Sequence, residues 1–376
     1  MITIKEVKGR RMLKAFIDFP SKLYKDCPYF TPYLYEDELD NLIPEKNPAS
    51  KYCEFRLFLA YKDKKIVGRI CGIINHYSNK KYNQKRIRFN RIDMIDDIEV
   101  TKALISAVED WGRSRGLTEI NGPLGYSDQD KEGLLTYGFD QKNMFVTFYT
   151  HEYYVRHLEQ LGFKVDATWN EYRIHIPEKL DPRIERLSQY VQKKYHLTLL
   201  HFKNKRKIKP YIKKCLRLIN ICYKDLYGYV EIDEKQMDHL AAQYVPLINL
   251  DFLQIVVDEH DTVVGMGLMI PTPVNALKKH KGHLFPIGWI DFLHDLKHEK
   301  VLDMLLIGVH PDYQKFGVTA MIFEDAIKNA IKNGITDAET GPELEYNQKV
   351  QSLWNGFDLK QHKRRSAFLK PIYEKE

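Results

Sequence analysis

The apolar positions of this chain change period repeatedly, and each change marks an element. Residues 1–7 alternate apolar and polar, which predicts a short strand. Residues 9–23 put Met12, Leu13, Phe16 and Ile17 on one side of a helix. An aromatic, proline-rich loop then leads to a short acidic helix at 36–42. Residues 55–61 and 65–74 predict a hairpin turning at Lys62-Asp63-Lys64, and 86–95 a further strand. Residues 100–114 are helical, with Ala103, Leu104, Ala107, Val108 and Trp111 at spacings of three and four, and Gly116 ends them. A strand at 117–124 closes at Gly122-Pro123. A helix at 152–160 and an alternating strand at 166–176 follow.

After a helix at 182–195 the order begins again. Strand 197–202, helices 208–226 and 234–244, and a strand pair at 252–258 and 262–270 lead into an extra amphipathic stretch at 271–300. Residues 303–334 read as a buried strand, a tight loop and an amphipathic helix. A strand at 338–341, a helix at 347–354 and a basic strand at 362–369 complete the chain. The halves echo one another in detail: Lys65-Ile66-Val67-Gly68 matches Thr262-Val263-Val264-Gly265, and Leu161-Gly162-Phe163 matches Asn355-Gly356-Phe357. Arg115-Gly116-Leu117-Thr118-Glu119 before Gly122-Pro123-Leu124 likewise matches Asn333-Gly334-Ile335-Thr336-Asp337 before Gly341-Pro342-Glu343-Leu344. A period of about 180 residues is far longer than the roughly 50 of solenoid repeats and indicates a duplicated domain. The expected division is an N-terminal domain at 1–180, a linker helix at 181–196 and a C-terminal domain at 197–376.

Composition narrows the function classes. A chain of 376 residues, 44% hydrophobic and 29% charged, suits two globular domains. The net charge of +7 is spread along the sequence and points to an anionic cofactor or substrate as readily as to nucleic acid. The one basic run, KNKRKIKPYIKK at 203–214, is accounted for by a helix entry beside the linker. Five cysteines without metal-ligand spacing read as free thiols of a reducing compartment. There is no signal-peptide core and no run near the roughly 18 apolar residues of a spanning helix. The expectations are therefore a cytoplasmic protein with no bound metal, no nucleic-acid partner and no membrane partner; an oligomer is compatible.

The stretch Gln314-Lys315-Phe316-Gly317-Val318-Thr319 puts a glycine where a helix begins, and free N–H groups with the positive end of the helix dipole hold phosphate there. Together with the preceding Val309-His310-Pro311-Asp312-Tyr313 and the order of elements, it resembles the signature of the GNAT acyl-CoA N-acyltransferase superfamily: Gln or Arg, two residues, Gly, one residue, Gly or Ala, after the fourth strand. Thr319 departs from it at the small-residue position. The chain resembles two such domains in tandem, each a mixed, mostly antiparallel sheet flanked by helices, and is similar to a bacterial group of acetyltransferase-like proteins. In the first copy Asp96, Asp97 and Glu99 stand where the loop belongs; carboxylates there repel a pyrophosphate, so cofactor binding is expected in the second copy alone.

The resemblance implies acetyl-CoA or another acyl-CoA as co-substrate and an unknown amine acceptor, small-molecule or otherwise, reacting by direct attack. Backbone amides of Ile307, Gly308 and Val309 would polarise the thioester carbonyl, residues 315–319 would hold the pyrophosphate, and Asn347 would contact the pantetheine arm. A base is required, and Asp337, Glu339, Glu343 and Glu345 lie on the fifth strand or its exit; Glu339 is the first choice. Trp354 occupies the place of the tyrosine that protonates the leaving thiolate and cannot act as an acid, which leaves Tyr346, Tyr313 or solvent. His362-Lys363-Arg364-Arg365 reads as an acidic-substrate grip or as a solvated strand face. Thr319 and Trp354 favour a rival reading, a degenerate tandem fold with a binding or regulatory role. A second rival, an aminoacyl-tRNA-dependent peptidyltransferase, also uses two such domains, but the sequence has no coiled-coil arm.

Overall fold

The computed structural model describes residues 1–373. Fourteen strands form one sheet: β1 (Ile2–Glu6), β2 (Cys53–Lys62), β3 (Lys65–Asn75), β4 (Arg86–Met94), β5 (Glu119–Gly122), β6 (Leu134–Tyr137), β7 (Lys164–His175), β8 (Thr198–Leu199), β9 (Leu253–Val257), β10 (Val263–Pro271), β11 (Val301–Val309), β12 (Asp337–Thr340), β13 (Glu343–Leu344) and β14 (Leu359–Pro371). The order is β1-β2-β3-β4-β5-β14-β7-β12-β11-β10-β9-β8, with β6 on β14 and β13 on β7. Only β4–β5 and β11–β12 are parallel pairs.

The order is a palindrome about its centre. Each half contributes five strands in sequence, and the last long strand of each half pairs with the fifth strand of the other: β14 with β5, and β7 with β12. β7 and β14 pair with each other over most of their length. The duplication also shows in a shared irregularity. One extra residue interrupts the fourth strand of each half, between the Arg69↔Asp93 and Cys71↔Asn90 pairs of β4 and between the Leu268↔Leu306 and Met269↔Met304 pairs of β11.

Local chemistry sets the helix ends. Asp181 accepts from the Arg183 N–H at 2.8 Å and Pro182 opens helix Pro182–Tyr195, which His196 closes at φ 52. Asp233 and Gln236 form a capping box on Glu234–Tyr244. Elsewhere the structure departs from the sequence reading. The strand expected at 197–202 shrinks to Thr198–Leu199, and the helix expected at 347–354 is one turn, Gln348–Gln351, followed by a 3-10 turn, Ser352–Trp354. The stretch 271–300 holds two helices, Val274–Lys279 and Gly288–His298. They cover the face of the C-terminal half opposite helix Val318–Lys332, packing Ile270 and Leu305 against Phe292, Leu296, Phe145 and Leu34.

Candidate active site

β11 and β12 run together only from Val301↔Asp337 to Met304↔Thr340. The extra residue of β11, Leu305, comes next, and beyond it the two strands have no register in common. His310 N–H donates to the Val264 carbonyl at 2.8 Å. By antiparallel alternation Gly308 and Leu306 then face β10, whereas Ile307 and Val309 turn their amides to the open edge. The Ile307 carbonyl on that edge accepts from the Tyr223 hydroxyl at 3.0 Å, and the Val309 carbonyl accepts from Gln314 Nε2 at 3.2 Å. Tyr223, at the end of helix Lys209–Tyr223, carries no signature in the sequence, because its role comes from a contact with a strand more than eighty residues away.

Residues 311–316, with Gln314, Lys315 and Phe316, form a 3-10 turn, and Gly317 follows at φ 81, a conformation that favours glycine. Helix Val318–Lys332 starts there with no side-chain cap, so its first N–H groups, at Val318 and Thr319, are free of side-chain acceptors. Val318 is buried, Thr319 half-buried and Lys315 exposed. The linker helix lies alongside: Tyr195 stacks on Phe316 with centroids 4.3 Å apart, and a Cβ on Gly317 would sit 3.4 Å from Val191.

Between this helix and the Ser352–Trp354 turn runs an apolar cleft enclosing about 50 Å³, walled by Met304, Ile307, Ile322, Phe323, Trp354 and Phe357. Trp354 Nε1 donates to Glu343 Oε1 at 2.8 Å, and Glu343 Oε2 is buried without a hydrogen-bond partner among the described residues. Burial pushes the Glu343 carboxyl up to about 7, against a smaller downward pull from the indole N–H. Asn347 caps the short turn through the Val350 N–H. Tyr346 is 63% exposed, on the surface beside the Tyr227 backbone.

The opposite face of the sheet is ionic. Leu302 and Met304 pack against Ala326 and Ala330 of helix Val318–Lys332, so Asp303 between them points to the other side. Glu339 is its neighbour across β11–β12. Lys363 Nζ contacts Glu339 Oε1 directly and lies 3.0 Å from Glu171 Oε2; Arg365 Nε donates to Glu171 Oε1. Glu171, Lys363 and Arg365 are fully buried and His362 is buried too, so within 362–365 the solvated position is Arg364. Burial raises the Glu171 pKa, but the Arg365 and Lys363 charges outweigh it and hold the carboxyl below its ordinary range. For Glu339 burial wins over Lys363 and the pKa is raised; for Asp303 burial and the Glu339 charge raise it far, against a 3.0 Å bond from Thr272 Oγ1. His362 Nε2 is 3.5 Å from Glu339 Oε1, and burial with the Lys363 charge drives the imidazole down to about 3, so it is neutral. Glu171, Glu339 and His362 bring ligand atoms within 4.8 Å of one another, but Lys363 bridges the two carboxylates and already supplies the cation.

The N-terminal half fills the matching places with its own side chains. Tyr154 Oη takes the Met94 N–H at 3.2 Å, Tyr153 donates to the Met94 carbonyl at 2.6 Å, and Asp97 caps helix Ile98–Ser114 through the Glu99 N–H. Asp96 and Asp97 are occupied by Arg156 and Lys62.

The architecture is a tandem GNAT fold. A tandem GNAT protein from the clavulanic acid biosynthesis pathway superposes over the full length of both chains with TM-score 0.57 and 9% identity. A GCN5-related glucosamine N-acetyltransferase region of a fungal β-N-acetylglucosaminidase matches 98% of this chain and 38% of its own, with TM-score 0.56 and 12% identity. No protein-family profile matches. In sequence, the chain is 29% identical over 370 residues to Protein YghO of Escherichia coli K12, covering 96% of this chain and 93% of that one. It is 28% identical over 335 residues to the bacterial ceramide synthase of Caulobacter vibrioides, covering 83% and 82%.

Proposed function

We propose that this chain transfers an acyl group from acyl-CoA to an amine, in its C-terminal half, by direct attack. One observation carries the reading: β11 breaks from β12 at the Leu305 bulge and turns the Ile307 and Val309 amides to an open edge beside an apolar cleft. The free helix start at Gly317 suits the phosphates and the strand amides suit the thioester carbonyl; the pantetheine arm joins the two along the apolar wall of Ile322, Phe323 and Trp354. Acyl-CoA, when bound, supplies the activated acyl group; Gly317 to Thr319 hold its phosphates, and the Ile307 amide faces its carbonyl. Asn347 holds the turn that carries Trp354 along the cleft.

Glu343 takes the proton-donor place that Trp354 leaves vacant, since a carboxyl near 7 is part protonated at neutral pH. On the other face Glu339 accepts the amine proton, with Lys363 fixing its position and burial raising its basicity. The acceptor is a lipid-like amine. Two observations support this: one relative bears the name bacterial ceramide synthase, and the apolar cluster of Leu34, Phe145, Leu277, Phe292, Leu296 and Leu305 packs over that face of the sheet.

The test is release of free CoA thiol on mixing the protein with acetyl-CoA or palmitoyl-CoA and a panel of amines. Acceleration by a long-chain amino alcohol supports the reading. Amine-independent release, or none with any pair, counts against it.

A further inference from the structure

Helix Gly288–His298 has two apolar faces. Phe292 and Leu296 are buried against the cluster around Leu305, but Trp289, Ile290 and Leu293 point outward, 44%, 54% and 48% exposed. The loop before it adds Phe285 and Ile287, 71% and 60% exposed. These five are among the largest exposed apolar side chains of the described residues, and they fall within nine positions of one another. A surface helix of a globular protein presents its outward face to water and is polar there. Here that face is apolar at its start and basic at its end and flanks: Lys281, Lys297 and Lys300 are exposed and make no ion pair among the described residues. The local acids are engaged, Asp291 by Lys279 and His280, Asp295 by the Ala276 N–H, and Glu299 by Asn275.

We propose that this helix and the loop before it dock the protein on the surface of an anionic lipid bilayer. The charge pattern selects this occupant. Trp289, Phe285, Ile287, Ile290 and Leu293 enter the headgroup–acyl boundary, and the three free lysines meet anionic headgroups. An aromatic residue with a wet end suits that depth: Trp289 Nε1 donates to the Pro286 carbonyl at 3.1 Å, within the same loop. The protein lies on the membrane and does not span it, as no helix of the described residues is long and apolar enough to cross. The platform is firmly seated. Tyr35 N–H donates to the Gly282 carbonyl at 3.0 Å, its ring stacks on His283 at 4.1 Å, and Lys278 Nζ donates to the Pro28 carbonyl. Because the inner side of the same helix packs on Leu305, docking turns that face of the sheet toward the bilayer.

Tryptophan emission gives a selective readout. Of the four tryptophans, Trp111, Trp169 and Trp354 are buried and Trp289 alone is exposed. The full-length protein is titrated with phosphatidylcholine vesicles with and without phosphatidylglycerol, and binding is followed by emission and co-sedimentation. A blue shift with the anionic vesicles, weakened by added salt, is the expected result. Ile290→Ser with Leu293→Ser lowers the affinity roughly tenfold or more, and Trp289→Phe keeps sedimentation while losing the shift. All three substitutions lie on a solvent face, so the fold is expected to stay intact. The proposal is overturned by an unshifted spectrum with no co-sedimentation. It is equally overturned by an already blue-shifted spectrum in a concentration-dependent dimer, which assigns the patch to a second copy of the chain.

Discussion

The indole N–H of Trp354 donates to the carboxylate of Glu343 at 2.8 Å, joining the wall of the apolar cleft to β13. The bond leaves one oxygen of a buried carboxyl free, with a pKa of about 7 in place of 4.5. If the protonated carboxyl serves the leaving thiolate, kcat/KM falls as pH rises through about 7, and Glu343→Gln lowers kcat and flattens that limb. A pH–rate profile of the two proteins checks it.

The same shift has a stability consequence with a definite sign. A carboxyl whose folded pKa is raised favours the folded state below its unfolded pKa and loses that advantage as pH climbs to the folded value. Glu343→Gln removes the burden of a buried charge. The variant therefore gains stability relative to wild type at about pH 8 and gains little at about pH 4. Thermal unfolding at both pH values reads the difference.

Lys363 neutralises two buried carboxylates at the seam between β7 and β14. Lys363→Met leaves Glu339 and Glu171 with too little positive charge, at a cost of about 3–5 kcal/mol. The loss shrinks in mild acid, because Glu339, already raised in pKa by burial, takes up a proton there. Urea unfolding at neutral and acid pH measures both values.

Strand exchange makes the halves interdependent. Without β14, β5 and β7 of the first half have no strand between them, and open edges associate. A fragment of residues 1–180 aggregates or unfolds without a cooperative transition, and co-expression with residues 181–376 restores a soluble pair. A monomeric, cooperatively folding 1–180 fragment would contradict this.

Much of this was readable from periodicity and caps. Helices Gly9–Leu23, Pro182–Tyr195 and Glu234–Tyr244 carry clear faces or end signals and match the sequence reading residue for residue. Helix Gly288–His298 was hidden because Phe285-Pro286 and Gly288 look like breakers and its two apolar faces erase the helical period. The exchange of β7 and β14 leaves no trace in periodicity, which predicts a strand and never its partner. For the same reason Lys363 and Arg365 resemble surface charges in a basic run, although their buried partner Glu171 lies in the other half of the chain. Glu339 was singled out by position alone; Glu343 and Tyr223 become distinct only when burial and contacts are known.

The amide of Ile307 faces an open edge, so proline there removes a donor without breaking the β10–β11 ladder. Ile307→Pro is expected to bind acyl-CoA nearly as wild type does and to turn over roughly a hundredfold more slowly. Stopped-flow binding alongside turnover separates the two effects.

In the proposed reaction the C-terminal half holds acyl-CoA at the helix start after Gly317. Calorimetric titration of wild type and Gly317→Trp with acetyl-CoA and palmitoyl-CoA tests it most directly. Wild type is expected to bind at least one of them saturably, and the variant to bind neither. No binding by wild type, or equal binding by both proteins, would contradict it.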